Sequence, residues 1–383
     1  MKRTITNILA VFLASCLLAG CTNSNSSVPS SSSETASEAS ETTEQSTKET
    51  VLETKEEEDL TDVVSEISED EETNSSDERT LVRIGSLKGP TSMGLVFLME
   101  MAEGEKTTNN YEFTMVTAAD ELLPKVINKE LDIALVPANV ASILYNRTDG
   151  GVSVIDINTL GVLYVVTADS SIQSIRDLKG HTVYMTGKGT TPDYVIQYLL
   201  TVNGLSDSDV NLEYKSEPTE VAALLKEDDN AIGILPQPFA AVACAQMEEK
   251  NIQLLDLTKE WDEVQKQEEH PSRLVTGVTI VRNEFLSEHT HEVDAFLQEH
   301  EKSATFTKDQ PKRAAELVVK TGIIEKAPIA EQALPKCNIT CITGKEMKDA
   351  LSGYLQVLFD QEPTSVGGKL PEENFYYEPI IAD

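Results

Sequence analysis

The chain has 383 residues, 65 of them acidic and 31 basic, with a formal net charge of -34 and only 5% aromatic residues. Such a polyanion repels nucleic acid and anionic lipid heads, and no Lys/Arg stripe with interleaved aromatics offsets this. Five cysteines are too few for a disulfide scaffold, and the length exceeds one simple core, which points to a two-lobed body.

Lys2 and Arg3 precede an apolar run from Ile8 to Leu18, shorter than the roughly 20 residues that span a bilayer. Leu18-Ala19-Gly20-Cys21 then closes the run with small residues and a cysteine. Residues 1–20 therefore read as a signal peptide, and the cleavage site resembles that of bacterial lipoproteins. That resemblance implies lipidation at Cys21 and attachment to the extracytoplasmic face of a cell membrane, held by two or more acyl chains. Residues 22–79 hold 18 acidic and 3 basic residues and no aromatic, so 21–79 is expected to be a disordered Ser/Thr/Glu-rich tether with a reach of roughly 40 Å. With the +2 of Lys2 and Arg3 and the -15 of this stretch set aside, -34 leaves -21 for residues 80–383.

The body alternates strand and helix. Leu81 to Gly85 reads as a strand, followed by a loop through Gly89, Pro90, Thr91, Ser92 and Met93, then a helix with Leu95, Leu98, Met99 and Ala102 on one stripe. Asp120 is a candidate cap for a helix carrying Leu122, Leu123, Val126 and Ile127. Ile133 to Val136 is a buried strand running into Pro137, Ala138 and Asn139 and a further helix. Gly161 to Thr167 is fully apolar and marks a crossover between lobes. A second series follows: Val183 to Met185 as a strand, the loop Gly187, Lys188, Gly189, Thr190 and Thr191, and a helix with Thr191 as N-cap and Gly204 just past its end. Ala231 to Leu235 runs as a strand into Pro236, Gln237 and Pro238, Val275 to Val281 carries the chain back, and the remaining third is helix-rich. The expected lobes are 80–165 with 277–383, and 166–276.

In an open α/β sheet, ligands settle at the carboxyl ends of strands, where a following helix offers unpaired N–H groups and partial positive charge. The four loops have that placement and are the candidate ligand contacts, joined by Tyr164 on the crossover strand. Gly187, Gly189 and the Thr190-Thr191 pair form the strongest anion candidate, with Lys188 beside them. It is not a Walker loop, for the terminal Gly-Lys-Ser/Thr is missing. No metal site, cofactor or catalytic residue is expected: His289 and His291 stand two apart and face different sides of a helix. Cys337 and Cys341 lie roughly 13 Å apart if the segment between them is extended, beyond bridging distance. Trp261, the only tryptophan, is expected in helix packing.

Asp132 to Asn139 (DIALVPAN), Ile175 to Val183 (IRDLKGHTV), Gly233 to Pro238 (GILPQP) and Gly367 to Tyr377 (GGKLPEENFYY) resemble the type II solute-binding proteins of ABC importers, in particular the nitrate, sulfonate, taurine and thiamine-precursor group. The likeness spans most of 80–383. It implies a periplasmic-binding-protein-like type II fold of two α/β lobes joined by two crossover strands. It also implies a small solute held between the lobes and delivered to a membrane permease; the helix N-termini favour an anionic solute such as a sulfonate or carboxylate, a pyrimidine of the thiamine type being the alternative, and the chain is expected to be a monomer. Two other readings share these features: a ligand-sensing lipoprotein without transport, and an enzyme, since the fold resembles certain dehydratases and pyrimidine synthases. Both enzyme types are intracellular, and the cysteine-rich signature of the latter is absent.

Overall fold

The structure, a computed structural model, describes residues 79–379 other than 207, 269 and 270. The expected signal peptide, the tether up to 78 and lipidated Cys21 lie outside the described residues.

The chain opens with β1 (Leu81–Leu87), a single helical turn α1 (Pro90–Met93), α2 (Val96–Glu103), β2 (Asn110–Val116), α3 (Ala119–Ile127), β3 (Ile133–Pro137), α4 (Ala138–Arg147) and β4 (Val152–Leu160). β3 buries Ile133, Ala134, Leu135 and Val136 in succession, as a strand covered on both faces must. α3 begins one residue before the expected cap: Glu121 reaches back to accept from the Ala118 N–H at 3.1 Å, which leaves Asp120 in the first turn. The second series is β5 (Leu163–Thr167), β6 (Thr182–Thr186), α5 (Thr191–Val202), β7 (Asn211–Lys215), α6 (Pro218–Glu227), β8 (Ile232–Pro236), α7 (Phe239–Gln246), β9 (Gln253–Asp256) and α8 (Leu257–Gln265). Gly204, at φ +77°, ends α5 in the left-handed conformation its position anticipates. The chain returns through β10 (Val275–Arg282) to α9 (Asn283–Glu288), α10 (Thr290–Asp309), α11 (Pro311–Lys320), α12 (Ala327–Ala333), β11 (Ile339–Ile342) and α13 (Gly344–Gln361).

The strands form two sheets, ordered β11-β4-β10-β3-β1-β2 and β7-β6-β8-β5-β9. In the first, β1 is parallel to β2 and β3, while β10 and β11 run antiparallel to their neighbours. In the second, β6 is parallel to β7 and β8, and β5 is antiparallel to β8 and β9. β4 and β5 belong to different sheets, so the first crossing is at Gly161-Val162 and Tyr164 lies inside the second lobe, ahead of the expected boundary at 165. The return is complete by Val275, which pairs with Leu160. The two passages touch: a Cβ at Gly161 would strike Thr258 Oγ1 and lie 2.6 Å from Leu274 Cδ2.

The C-terminal third does not belong to one lobe alone. Tyr354 of α13 meets Trp261 of α8 with ring centroids 5.7 Å apart, and Trp261 in turn meets Tyr198 of α5 at 4.6 Å. One continuous apolar cluster joins Val136 and Val278 of the first sheet, Val165 and Ile234 of the second, and Leu351, Tyr354 and Leu355 of α13. Trp261 is fully buried, its indole N–H donating to Ser272 Oγ at 3.2 Å, so it serves packing as expected.

Candidate functional site

Strand register brings the candidate loops to the crossover. Gly277 of β10 sits opposite Pro137 on one side and Thr159 on the other. Thr91 Cγ2 and Asn158 Oδ1 stand 2.9 Å and 2.5 Å from where a Cβ at Gly277 would lie, so α1 and the end of β4 share this row. Just past the crossing Leu163 pairs with Pro236, and the next residue, Gln237, donates its backbone N–H to Val162 O at 2.9 Å. The remaining loop arrives from the second lobe: Thr191 Oγ1 donates to Asn139 Oδ1 at 3.3 Å, while Asn139 Nδ2 donates to Ser365 O at 3.3 Å. Loops from both lobes therefore meet around Gly161-Val162.

Within this group Gln237 is exceptional. It is 2% exposed, and among the described residues neither Oε1 nor Nε2 has a hydrogen-bond partner. A buried primary amide left unpaired costs about 1–3 kcal/mol for each group, so such positions usually meet another molecule. Tyr354 adds a buried hydroxyl beside Thr191. It feels that side chain electrostatically but forms no hydrogen bond of normal geometry, and burial raises its pKa well above the usual phenol range. The starts of α4 and α7 carry no side-chain cap: Pro137 and Pro238 occupy those positions, and the first-turn N–H groups have no intrahelical acceptor.

Other expected contacts are already engaged within the chain. Thr91 Oγ1 donates to Leu87 O at 3.0 Å, Ser92 Oγ donates to the same oxygen at 2.6 Å and meets Ser86 Oγ, and Met93 is core. Gly89 and Pro90 open the four-residue turn α1. Tyr164 packs among Val166, Val221 and Ala240 and donates its hydroxyl to Lys336 O at 3.0 Å, tying β5 to the first lobe. The expected anion cradle after β6 is filled by the protein itself: Asp193, 3% exposed, accepts from Gly189 N at 2.7 Å, Gln197 Nε2 at 2.7 Å and Tyr214 OH at 2.6 Å. Thr190 Oγ1 turns back to Gly187 O, and Lys188 lies over the Tyr214 ring at 5.2 Å. A carboxylate of the same helix thus already takes the Gly189 amide of the loop expected to be the strongest anion candidate.

Sequence reasoning missed the polar residues of β4. Asp156, Asn158 and Thr159 are all 0–1% exposed in a strand buried along its whole length. Asn158 Nδ2 donates to Thr279 Oγ1 at 3.2 Å, and Thr279 Oγ1 donates to Asp156 Oδ1 at 2.9 Å. The available signal was polar side chains inside an otherwise apolar run, Val-Ser-Val-Ile-Asp-Ile-Asn-Thr-Leu. Cys337 and Cys341 are both free thiols. Burial pushes the Cys337 thiol up to about 12 and Cys341 well above its ordinary value, so neither is an activated nucleophile.

Two α/β lobes joined by two crossings, with strand-to-helix loops gathered at the joint, define the periplasmic-binding-protein-like type II fold. The comparisons agree with the resemblance read from the sequence. The model of the NMT1/THI5 like family matches residues 152–314. Among solved structures, the chain is similar to an ABC transporter from Parabacteroides distasonis, 22% identical with a TM-score of 0.64, covering 78% of this chain and 99% of that one. It is also similar to the periplasmic aliphatic sulphonate binding protein SsuA from Escherichia coli, 15% identical with a TM-score of 0.61, covering 79% and 94%. A third is the alkanesulfonate-binding protein SsuA from Xanthomonas axonopodis bound to MOPS, 13% identical with a TM-score of 0.51, covering 77% and 96%. No curated protein matches the chain.

Proposed function

We propose that the chain is the extracytoplasmic solute-binding component of an ABC importer, anchored through lipid on Cys21, that grips a small solute between its lobes and presents it to a membrane permease. The observation that carries this reading is Gln237, a fully buried amide with both polar atoms unpaired, set beside the crossing where loops of the two lobes meet. The solute supplies the missing donor and acceptor for that amide. Its anionic group is met by the uncapped starts of α4 and α7, whose first-turn N–H groups and helix dipoles favour negative charge. This role follows that of the similar sulphonate-binding proteins, and small sulfonates head the candidates. Contacts made to both lobes at once favour the closed arrangement, which a permease then recognises.

A thermal-shift screen of small sulfonates, carboxylates, nitrate, amino acids and pyrimidines tests the proposal, since a ligand of the native state raises the melting temperature by mass action. A hit is expected to compact the protein in solution scattering and to bind at least tenfold more weakly to Gln237→Leu, the equivalent of about 1.4 kcal/mol. A hit that binds Gln237→Leu unchanged overturns the site. Replacing Cys21 by Ser is expected to move the protein from the membrane to the soluble fraction.

A further inference from the structure

Three residues from three separate elements converge: Asp156 on β4, His300 on α10 and Cys341 on β11. One donor atom from each, a carboxylate oxygen, an imidazole nitrogen and the thiol sulfur, lies within 4.8 Å of the other two. Asp156 and His300 are fully buried and Cys341 is half-buried. Asp156 Oδ2 and His300 Nδ1 are 3.1 Å apart, a hydrogen bond that pins α10 to β4. His300 Nδ1 is therefore the nitrogen that faces Asp156, while Nε2 lies on the other side of the ring toward Gly94, and among the described residues the Cys341 thiol has only a 3.9 Å approach to Leu297 O.

We propose that Asp156, His300 and Cys341 form a binding site for a divalent transition-metal ion of the zinc type. One oxygen, one nitrogen and one sulfur donor make a set that zinc accepts, whereas calcium and magnesium take oxygen ligands alone. Donors about 2.0 Å from a tetrahedral ion stand about 3.3 Å from one another, close to the 3.1 Å between Asp156 and His300. On coordination the thiol releases its proton to solvent, the sulfur binds as thiolate, and no oxidation state changes. Thr279 Oγ1, already donating to the second oxygen of Asp156, orients that carboxylate as outer-shell partners of metal ligands do. An entry route is present. Cys341 forms part of the wall of a hollow of about 740 Å³ that also carries His291, Asp294 and Glu301, and the two carboxylates there attract a cation. The bound ion would staple β4, β11 and α10 of the first lobe.

Cobalt(II) added to the metal-free full chain is the probe. Expected are about one tightly bound ion per chain and a thiolate-to-cobalt charge-transfer band in the near ultraviolet. The band should be displaced by zinc, lost in Cys341→Ser and kept in Cys244→Ser. Absence of the band, or its persistence in Cys341→Ser, overturns the proposal. Should Cys341→Ser fail to fold, X-ray absorption at the zinc edge of the loaded wild-type chain decides the matter: a sulfur scatterer together with nitrogen and oxygen is expected, and a shell of nitrogen and oxygen alone overturns it.

Discussion

Gln237 and Asp132 show opposite ways of burying a polar side chain. The amide of Gln237 is unpaired, so Gln237→Leu removes a desolvation cost. The solute-free variant is expected to gain about 1 kcal/mol, read as a higher urea midpoint with an unchanged slope, while losing solute binding. Asp132, 1% exposed, is fully paired: it accepts from Arg83 N at 3.0 Å, Arg83 Nε at 2.9 Å, Arg83 Nη2 at 2.7 Å and Arg282 Nη2 at 2.8 Å. Burial alone would raise its pKa, but the bonds from Arg83 and Arg282 outweigh that and hold it below the usual carboxylate range. A carboxyl depressed in the folded state lends stability that is complete above the unfolded value of about 3.9 and drains away as pH falls through the folded value. Asp132→Asn is therefore expected to cost about 3 kcal/mol at neutral pH and to flatten the acid limb of a stability-against-pH curve.

At the scale of elements, the crossing is closely packed. Gly161 lies where the outgoing and returning passages touch, and Asn338 Nδ2 donates to its carbonyl at 2.6 Å. A methyl group there has no space, so Gly161→Ala is expected to destabilise by about 1–3 kcal/mol. It should also shift the fluorescence of Trp261, which belongs to the same helix as the obstructing Thr258. The wavelength of that shift and the thermal midpoint check it together. β4 and α13 matter for the same reason: one feeds the crossing, and the other packs on both lobes through Trp261 and Tyr354. Tyr354 buries its hydroxyl with no hydrogen-bond partner among the described residues, so, as for Gln237→Leu, Tyr354→Phe is expected to gain about 1 kcal/mol in thermal unfolding.

For the whole molecule, net charge sets the medium-dependence. Residues 80–383 carry -21, and such self-repulsion opposes the compact state. Screening shortens to about 3 Å at 1 M salt from about 10 Å at 0.1 M, so added salt is expected to raise the melting temperature. A flat or falling midpoint between low and high sodium chloride would show that local ion pairs, not net charge, dominate. Direct lobe-to-lobe contacts such as Thr191 with Asn139 describe an arrangement already drawn together at that edge. On the proposed function, solute binding would stabilise this arrangement against a more open one, and that difference is what scattering would measure.

The sequence by itself determined the alternation of strands and helices, the crossover near Gly161, the return at Val275 and the four strand-to-helix loops. Each rests on local patterning: apolar runs, caps, and proline or glycine at the ends of elements. Only the tertiary structure decided which loop amides are free. Asp193 lies four residues from Gly189 in the chain, yet its capture of that N–H is organised by Tyr214 from another strand. The grouping of Asp156, His300 and Cys341, and the lack of any partner among the described residues for the Gln237 side-chain amide, were equally out of reach, since both follow from contacts between segments far apart in sequence. Pairing of a buried polar group is a property of the assembled core, and no local pattern encodes it.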